Sequence, residues 1–332
     1  MDARYLDLAA RIGLGQSERI AKLFQIIANS AEAELLLALP GGVKAMADKL
    51  GRPEEEVAKM IRTLFVKGLV FESAKDDPPT YRMCRDLVQF HDASILWPEA
   101  PQEYLDLWNE FMETEWYDIA KMVSQAMPRP FTRVIPVGVT VPAKTHVLAF
   151  EDVKEIIEAS RNLAVTKCTC RLIAHKCDKT LEACIQVNKA ADYTLKRGSG
   201  RQISKHEAFD IMKQAEEDGL IHVVVNKQNV DHFICNCCPC CCQTMPVLIK
   251  HGISVIEPSR FAADVDPETC SSCGVCTDRC YFGAINQEGD EPATVNQDKC
   301  LGCGLCQVTC PSDAISMKEV RGVDFVPEKM FG

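Results

Sequence analysis

CSSCGVCTDRC at Cys270–Cys280 and CLGCGLCQVTC at Cys300–Cys310 write the spacing C-x2-C-x2-C-x3-C twice in one chain. Each cysteine recurs 30 positions on: 270 to 300, 273 to 303, 276 to 306 and 280 to 310. The repeat reaches beyond cysteine, with Gly274 matched by Gly304, Val275 by Leu305, and Ala284-Ile285 by Ala314-Ile315. A unit has been duplicated, and the spacing says what it is for. Three thiolates on one tight loop can grip three irons of a cubane, and the glycines let backbone amides approach its sulfurs. The fourth cysteine points away and serves the neighbouring cluster. Cys270, Cys273, Cys276 and Cys310 are therefore expected to hold one [4Fe–4S] cluster, and Cys300, Cys303, Cys306 and Cys280 the other.

The 332 residues suffice for two or three domains, and 25% charged with 47% hydrophobic residues is ordinary for a globular protein. No run is apolar enough to span a bilayer. The opening MDARYLDLAARIG lacks an apolar core and a small-residue cleavage site, so a cytoplasmic protein is expected. Eighteen of the nineteen cysteines lie between Cys168 and Cys310, and Cys84 stands apart. In a reducing compartment such density reads as metal ligation rather than disulfides. The net charge of −10 argues against a mainly nucleic-acid-binding protein. From Asp264 to Glu319 ten acidic residues face three basic ones, Arg279, Lys299 and Lys318, a balance that can steer a basic redox partner.

The segment from about Asp264 to Lys318 resembles bacterial two-[4Fe–4S] ferredoxins. That resemblance implies a small strand-rich fold with two pseudo-symmetric halves and low-potential electron transfer. Pro311 follows Cys310 as in that family, whereas Tyr281 follows Cys280, a departure that bears on fine tuning rather than on cluster binding.

Upstream, ten more cysteines fall in two groups. Cys168, Cys170, Cys177 and Cys184 lie in KCTCRLIAHKCDKTLEAC, and Cys235, Cys237, Cys238, Cys240, Cys241 and Cys242 lie in CNCCPCCC, both groups being expected on loops just after strands, where backbone is free to wrap a ligand. Soft thiolates in such number select iron–sulfur clusters, zinc or copper. Ten exceed the needs of one cubane, so one or two further Fe–S clusters are expected; neighbours in a Cys-Cys pair do not easily ligate one iron site together, so some are expected to be spares or to serve different sites. Strands are expected at 162–167, 221–225 and 253–256, and helices at 181–196 and 205–217, which makes a small α/β domain. Arg171 is a candidate donor to cluster sulfur. His175, His222, His232 and His251 read as ordinary residues. KRGSGR at Lys196–Arg201 reads as a helix end, with Gly198 as C-cap and Ser204 capping the next helix, rather than as a phosphate loop.

The N-terminal part is helical. Glu32–Leu39, Val43–Leu50 and a helix opened by Pro53 and running to Leu64 or Lys67 precede two strands, Val70–Glu72 and Thr80–Arg82. The order resembles a winged helix-turn-helix. Its third helix begins Glu54-Glu55-Glu56, which repels DNA, so a partner protein or a second copy is the expected contact. Gln102–Met127 reads as one amphipathic helix with Trp108, Phe111, Trp116 and Met122 available for burial, followed by an extended proline linker at Pro128–Pro142.

The fold class expected is therefore α+β multidomain. A winged-helix-like domain spans 1–97, a helix and proline-rich linker 98–142, a cysteine-rich α/β domain 143–262 and a dicluster ferredoxin domain 263–332. CTCR at Cys168–Arg171, CDKTLEAC at Cys177–Cys184, GLIHVVVN at Gly219–Asn226 and ICNCCPCCC at Ile234–Cys242, ahead of the ferredoxin repeat, resemble a family of 4Fe–4S binding proteins of anaerobes. That resemblance implies a component feeding or draining a larger redox enzyme. Two other functions fit the same residues: an oxidoreductase with an unusual catalytic cluster in the central domain, and a redox-sensing winged-helix regulator.

Overall fold

The computed structural model describes residues 2–73, 76–138 and 152–329. The chain divides into two compact units, Met1–Trp116 with Leu195–Gly200, and Tyr117–Thr194 with Arg201–Gly332.

In the first unit, α1 (Ala3–Arg11), α2 (Glu18–Ile27) and α3 (Ser30–Ala38) are followed by α4 (Val43–Leu50) and α5 (Glu54–Val66), then by the antiparallel hairpin β1 (Val70–Ser73) and β2 (Thr80–Met83). The starts of α1, α2 and α3 are capped by the side chains of Asp2, Ser17 and Asn29. Asn29 accepts from the Glu32 amide while the Glu32 carboxylate accepts from the Asn29 amide, a reciprocal cap. Gly51 ends α4 at φ +64°, where a side chain is costly. After α6 (Leu87–Ser94), the stretch expected to be one helix is two, α7 (Gln102–Thr114) in this unit and α8 (Trp116–Ala126), which from Tyr117 on belongs to the second. The break separates two burial patterns. Trp108 and Phe111 are fully buried and join the Phe24–Phe90 stack, whose ring centroids lie 4.1 Å apart. Met122, expected to be buried, is exposed.

The second unit is built on a seven-stranded sheet ordered β6-β4-β5-β8-β7-β3-β9. Its strands are β3 (Thr132–Val134), β4 (Leu163–Lys167), β5 (Glu182–Val187), β6 (Arg201–Gln202), β7 (Ile221–Val225), β8 (Phe233–Cys237) and β9 (Ile256–Glu257). All pairings are antiparallel except β3 with β9. β3 lies inside the expected proline linker, whose end at Pro142 falls outside the described residues. Thr132–Val134 sit between Pro130 and Pro136, so their amides remain free to pair with β7.

Two expectations fail here. Glu182–Val187, expected to be helical, is a strand between β4 and β8; its apolar residues Ala183, Ile185 and Val187 are buried. β8 carries Cys235 and Cys237 within a strand, not on a loop after one. Three helices complete this part: α9 (Val153–Ala159), α11 (Lys189–Arg197) and α12 (Lys205–Glu217). Gly198 at φ +69° and the Ser204 cap on the Glu207 amide end α11 and open α12 as the sequence indicates. The end of α11 belongs to the first unit, within which Lys196 pairs with Glu72 and Arg197 donates to the Val66 and Ala93 carbonyls; in the second unit Arg201 pairs with Glu182 and Glu207.

The last segment repeats its own backbone. β10 (Phe261–Val265) pairs with β13 (Ile315–Glu319), and β11 (Ile285–Asn286) with β12 (Thr294–Val295). Short helices α14 (Val275–Arg279) and α15 (Leu305–Val308) each follow a glycine, Gly274 at φ +75° and Gly304 at φ +78°. Left-handed residues recur at the same 30-residue interval, Ser272 with Gly302 and Gly283 with Asp313. No helix among the described residues is long and apolar enough to cross a membrane.

Candidate metal centres

All nineteen cysteines are free thiols. Cys84 is buried in the first unit, where burial pushes its thiol up to about 12; it touches no other cysteine in a metal-ligating group.

The eight C-terminal cysteines surround two cavities. Cys270, Cys273, Cys276 and Cys310 line one with Ala293, Ile315 and Gln287. Cys280, Cys300, Cys303 and Cys306 line the other with Ala263, Leu301 and Ile285. The fourth cysteine of each run thus faces the cavity of the other. Backbone amides point at the sulfurs: Ala263 donates to Cys300 Sγ at 3.5 Å and Ala284 to Cys280 Sγ at 3.3 Å. Burial works against a thiolate at Cys310, but the Ser312 hydroxyl and amide with the Ala314 and Ile315 amides hold it below the ordinary thiol range. Burial pushes Cys303 up to about 12 and Cys306 higher, with neighbouring cysteines adding to it. Such thiols ionise only where cations compensate them.

The central ten cysteines separate into two assemblies. Cys168, Cys170, Cys242, Cys237, Cys235 and Cys184 form a closed ring, each thiol interacting with the next and Cys184 returning to Cys168. Cys168 lies at the end of β4, Cys170 on α10 (Thr169–Ala174), Cys184 on β5, Cys235 and Cys237 on β8, and Cys242 just beyond. Hydrogen bonds from Cys170 and Cys184 hold Cys168 well below the ordinary thiol range, and those from Cys170 and Cys237 do the same for Cys242. Cys170, Cys184 and Cys237 are pushed up as the donors of those bonds. The second assembly is Cys177, Cys238, Cys240 and Cys241, whose sulfurs all lie within 4.8 Å of one another. Adjacent cysteines serve different assemblies at 237/238 and 241/242. At 240/241 they serve the same one, 3.8 Å apart, against expectation.

Arg171 lies beside both. It is buried, donates from Nη1 to the Asn236 carbonyl at 3.0 Å, and sits beside Cys168, Cys184 and Cys238. Burial opposes its charge, yet those sulfurs outweigh the penalty and raise its affinity for the proton. Its Nε and Nη2 are buried without a hydrogen-bond partner. Donors left over beside a ring of thiols fit a group carrying acceptor sulfurs. Asn236, which the sequence did not single out, holds this arrangement. Its side chain meets His222 Nδ1 at 2.6 Å and donates to the Ala183 carbonyl at 2.7 Å, and His222 Nε2 lies 3.3 Å from Glu216.

Residues 263–317 match the family described as a 4Fe-4S dicluster domain. No curated protein and no solved structure matches the chain. The C-terminal segment is thus of ferredoxin type, and the chain an iron–sulfur protein.

The dicluster domain is fastened to the central sheet through its second loop. The Val137 amide, just past β3, donates to the Cys303 carbonyl at 3.0 Å. A Cβ on Gly304 would stand 2.6 Å from Val137 Cγ2, so this loop closes on the sheet only with glycine there. Leu301, Cys303 and Leu305 share one apolar cluster with Cys235, Cys237 and Cys242. Arg279 of α14 also reaches across, donating to the Glu216 carbonyl at 2.7 Å. Among all the cysteines Cys273 alone is exposed, on the other loop of the domain.

Proposed function

We propose that this chain is an electron-transfer protein or subunit, passing single low-potential electrons to or from a larger redox enzyme. Cys270, Cys273, Cys276 and Cys310 would hold one [4Fe–4S] cluster, and Cys300, Cys303, Cys306 and Cys280 the second; cubanes of this kind supply one-electron chemistry. The observation that carries the reading is the exchange of the fourth cysteine between two cavities. The ring of Cys168, Cys170, Cys184, Cys235, Cys237 and Cys242 is the candidate site of a further cluster, with Arg171 offsetting its negative charge.

The order of sites supports a direction of travel. The cavity bearing exposed Cys273 is the docking end for a partner, and the Cys303 loop, packed on the thiol ring, is the inner relay. The α3–α5 helices and the β1–β2 hairpin are read as a winged-helix arrangement used for protein contact. Glu54, Glu55 and Glu56 stand exposed on the first turn of α5, where phosphates would have to approach a DNA reader. A second reading, a catalytic cluster in the central ring, is favoured by one feature: six thiols exceed what a cubane uses. Iron and acid-labile sulfide counts on oxygen-free protein test the main reading. At least about eight irons are expected, and about four would remove one ferredoxin cluster.

A further inference from the structure

The quartet Cys177, Cys238, Cys240 and Cys241 differs in kind from the other cysteine assemblies. Among the described residues it is the one group of metal-ligating side chains whose donor atoms all lie within 4.8 Å of each other. Cys177 Sγ and Cys241 Sγ are 3.7 Å apart, and Cys240 Sγ and Cys241 Sγ 3.8 Å. Four thiolates bound at 2.3 Å to one tetrahedral ion stand about 3.8 Å apart along each edge. A cubane instead spreads its four thiolates over four irons, roughly 6 Å from one another. The two C-terminal sets do not close up in this way.

The local chain supports four thiolates around one centre. Cys238-Pro239-Cys240-Cys241 is a tight turn leaving β8, and the Cys241 amide donates to Cys238 Sγ at 3.4 Å. The Lys179 amide donates to Cys177 and the Lys176 amide to Cys241. Amides aimed at sulfur favour the thiolate, as in structural metal knuckles. The apolar neighbours are Ala183, Ala215 and Leu220, and the one charged side chain beside Cys238, Arg171, is a cation that cannot ligate a metal. A closed four-thiolate set with no open position is the donor set of structural zinc.

We propose that Cys177, Cys238, Cys240 and Cys241 bind a single zinc ion. The ion clamps the segment after α10 to the turn after β8. Cys170 stands on α10 just before the first of these segments and Cys242 follows the second directly, so the clamp fixes the registration of the six-thiol ring. The zinc site performs no redox step; it shapes the neighbouring one.

The test uses the full chain purified without oxygen. Metal analysis is expected to give about one zinc per chain. Zinc K-edge absorption is expected to show four sulfurs at about 2.3 Å. Cys240→Ser and Cys177→Ser are each expected to lower bound zinc at least about fivefold while the iron of the dicluster domain stays. Zinc-free wild-type protein, or loss of iron and sulfide in place of zinc in these variants, would overturn the proposal. Should a serine variant fail to fold, the absorption spectrum of the wild type still decides. Iron and zinc are counted on one sample, so this site and the electron-transfer reading fail separately.

Discussion

Arg171 is the residue on which the electrostatics of the central ring turn. It is a buried cation beside three thiols, Cys168, Cys184 and Cys238. A cluster that gains an electron becomes more negative, so a fixed cation nearby favours reduction. Losing one charge-assisted contact of about 1.5–3 kcal/mol corresponds to roughly 60–130 mV for a one-electron couple. Arg171→Ala is expected to lower the central potential by that order in a redox titration, and an unchanged or higher potential would contradict the role. Cys84 gives the opposite case. With its thiol pushed up to about 12 by burial, it stays neutral at pH 8 and should resist alkylation until the first unit unfolds. Labelling at the rate of an exposed thiol would contradict that. Residue by residue, the grouping of the eight C-terminal cysteines around two hollows was legible because their spacing repeats, and Arg171 because it sits inside a cysteine motif. Asn236 was not, because its importance comes from meeting His222 and Ala183 across the sheet, which no local pattern encodes.

At the level of elements, glycine and proline punctuation made α3, α4, α5 and the β1–β2 hairpin readable, and the caps at Gly198 and Ser204 as well. Strand β5 was misread because its six residues mix Glu, Ala, Cys and Gln, which carry little strand preference; pairing on both sides decides the matter. β8 was missed because its cysteines look like loop ligands while they also occupy alternate positions of a strand. The duplicated loop offers a test of element geometry. Ser272 and Gly302 are equivalent and both left-handed, but a Cβ on Gly302 would collide with the Phe261 carbonyl and the Ser259 hydroxyl. Gly302→Ala adds that collision to about 1–2 kcal/mol of backbone cost. It is expected to lower the thermal midpoint clearly and to deplete iron from the Cys300, Cys303, Cys306 and Cys280 set. Ser272→Ala should leave both near the wild type. Equal behaviour of the two variants would show that the halves are not packed as described.

Across the whole molecule, the second unit joins a ferredoxin-type domain to a cysteine-lined sheet through the Cys303 loop and through Arg279. An acidic domain surface should steer a basic partner, so the rate of electron exchange with such a partner is expected to fall as ionic strength rises. A rate indifferent to salt would remove that steering. The most direct measurement of the central claim is low-temperature electron paramagnetic resonance of the reduced, oxygen-free chain beside its Cys276→Ala variant, with iron and sulfide counted on both. The wild type should show two interacting [4Fe–4S] centres, and the variant should lose one and keep the other. Colourless, iron-free wild-type protein, or tail cysteines found joined in disulfides, would contradict it.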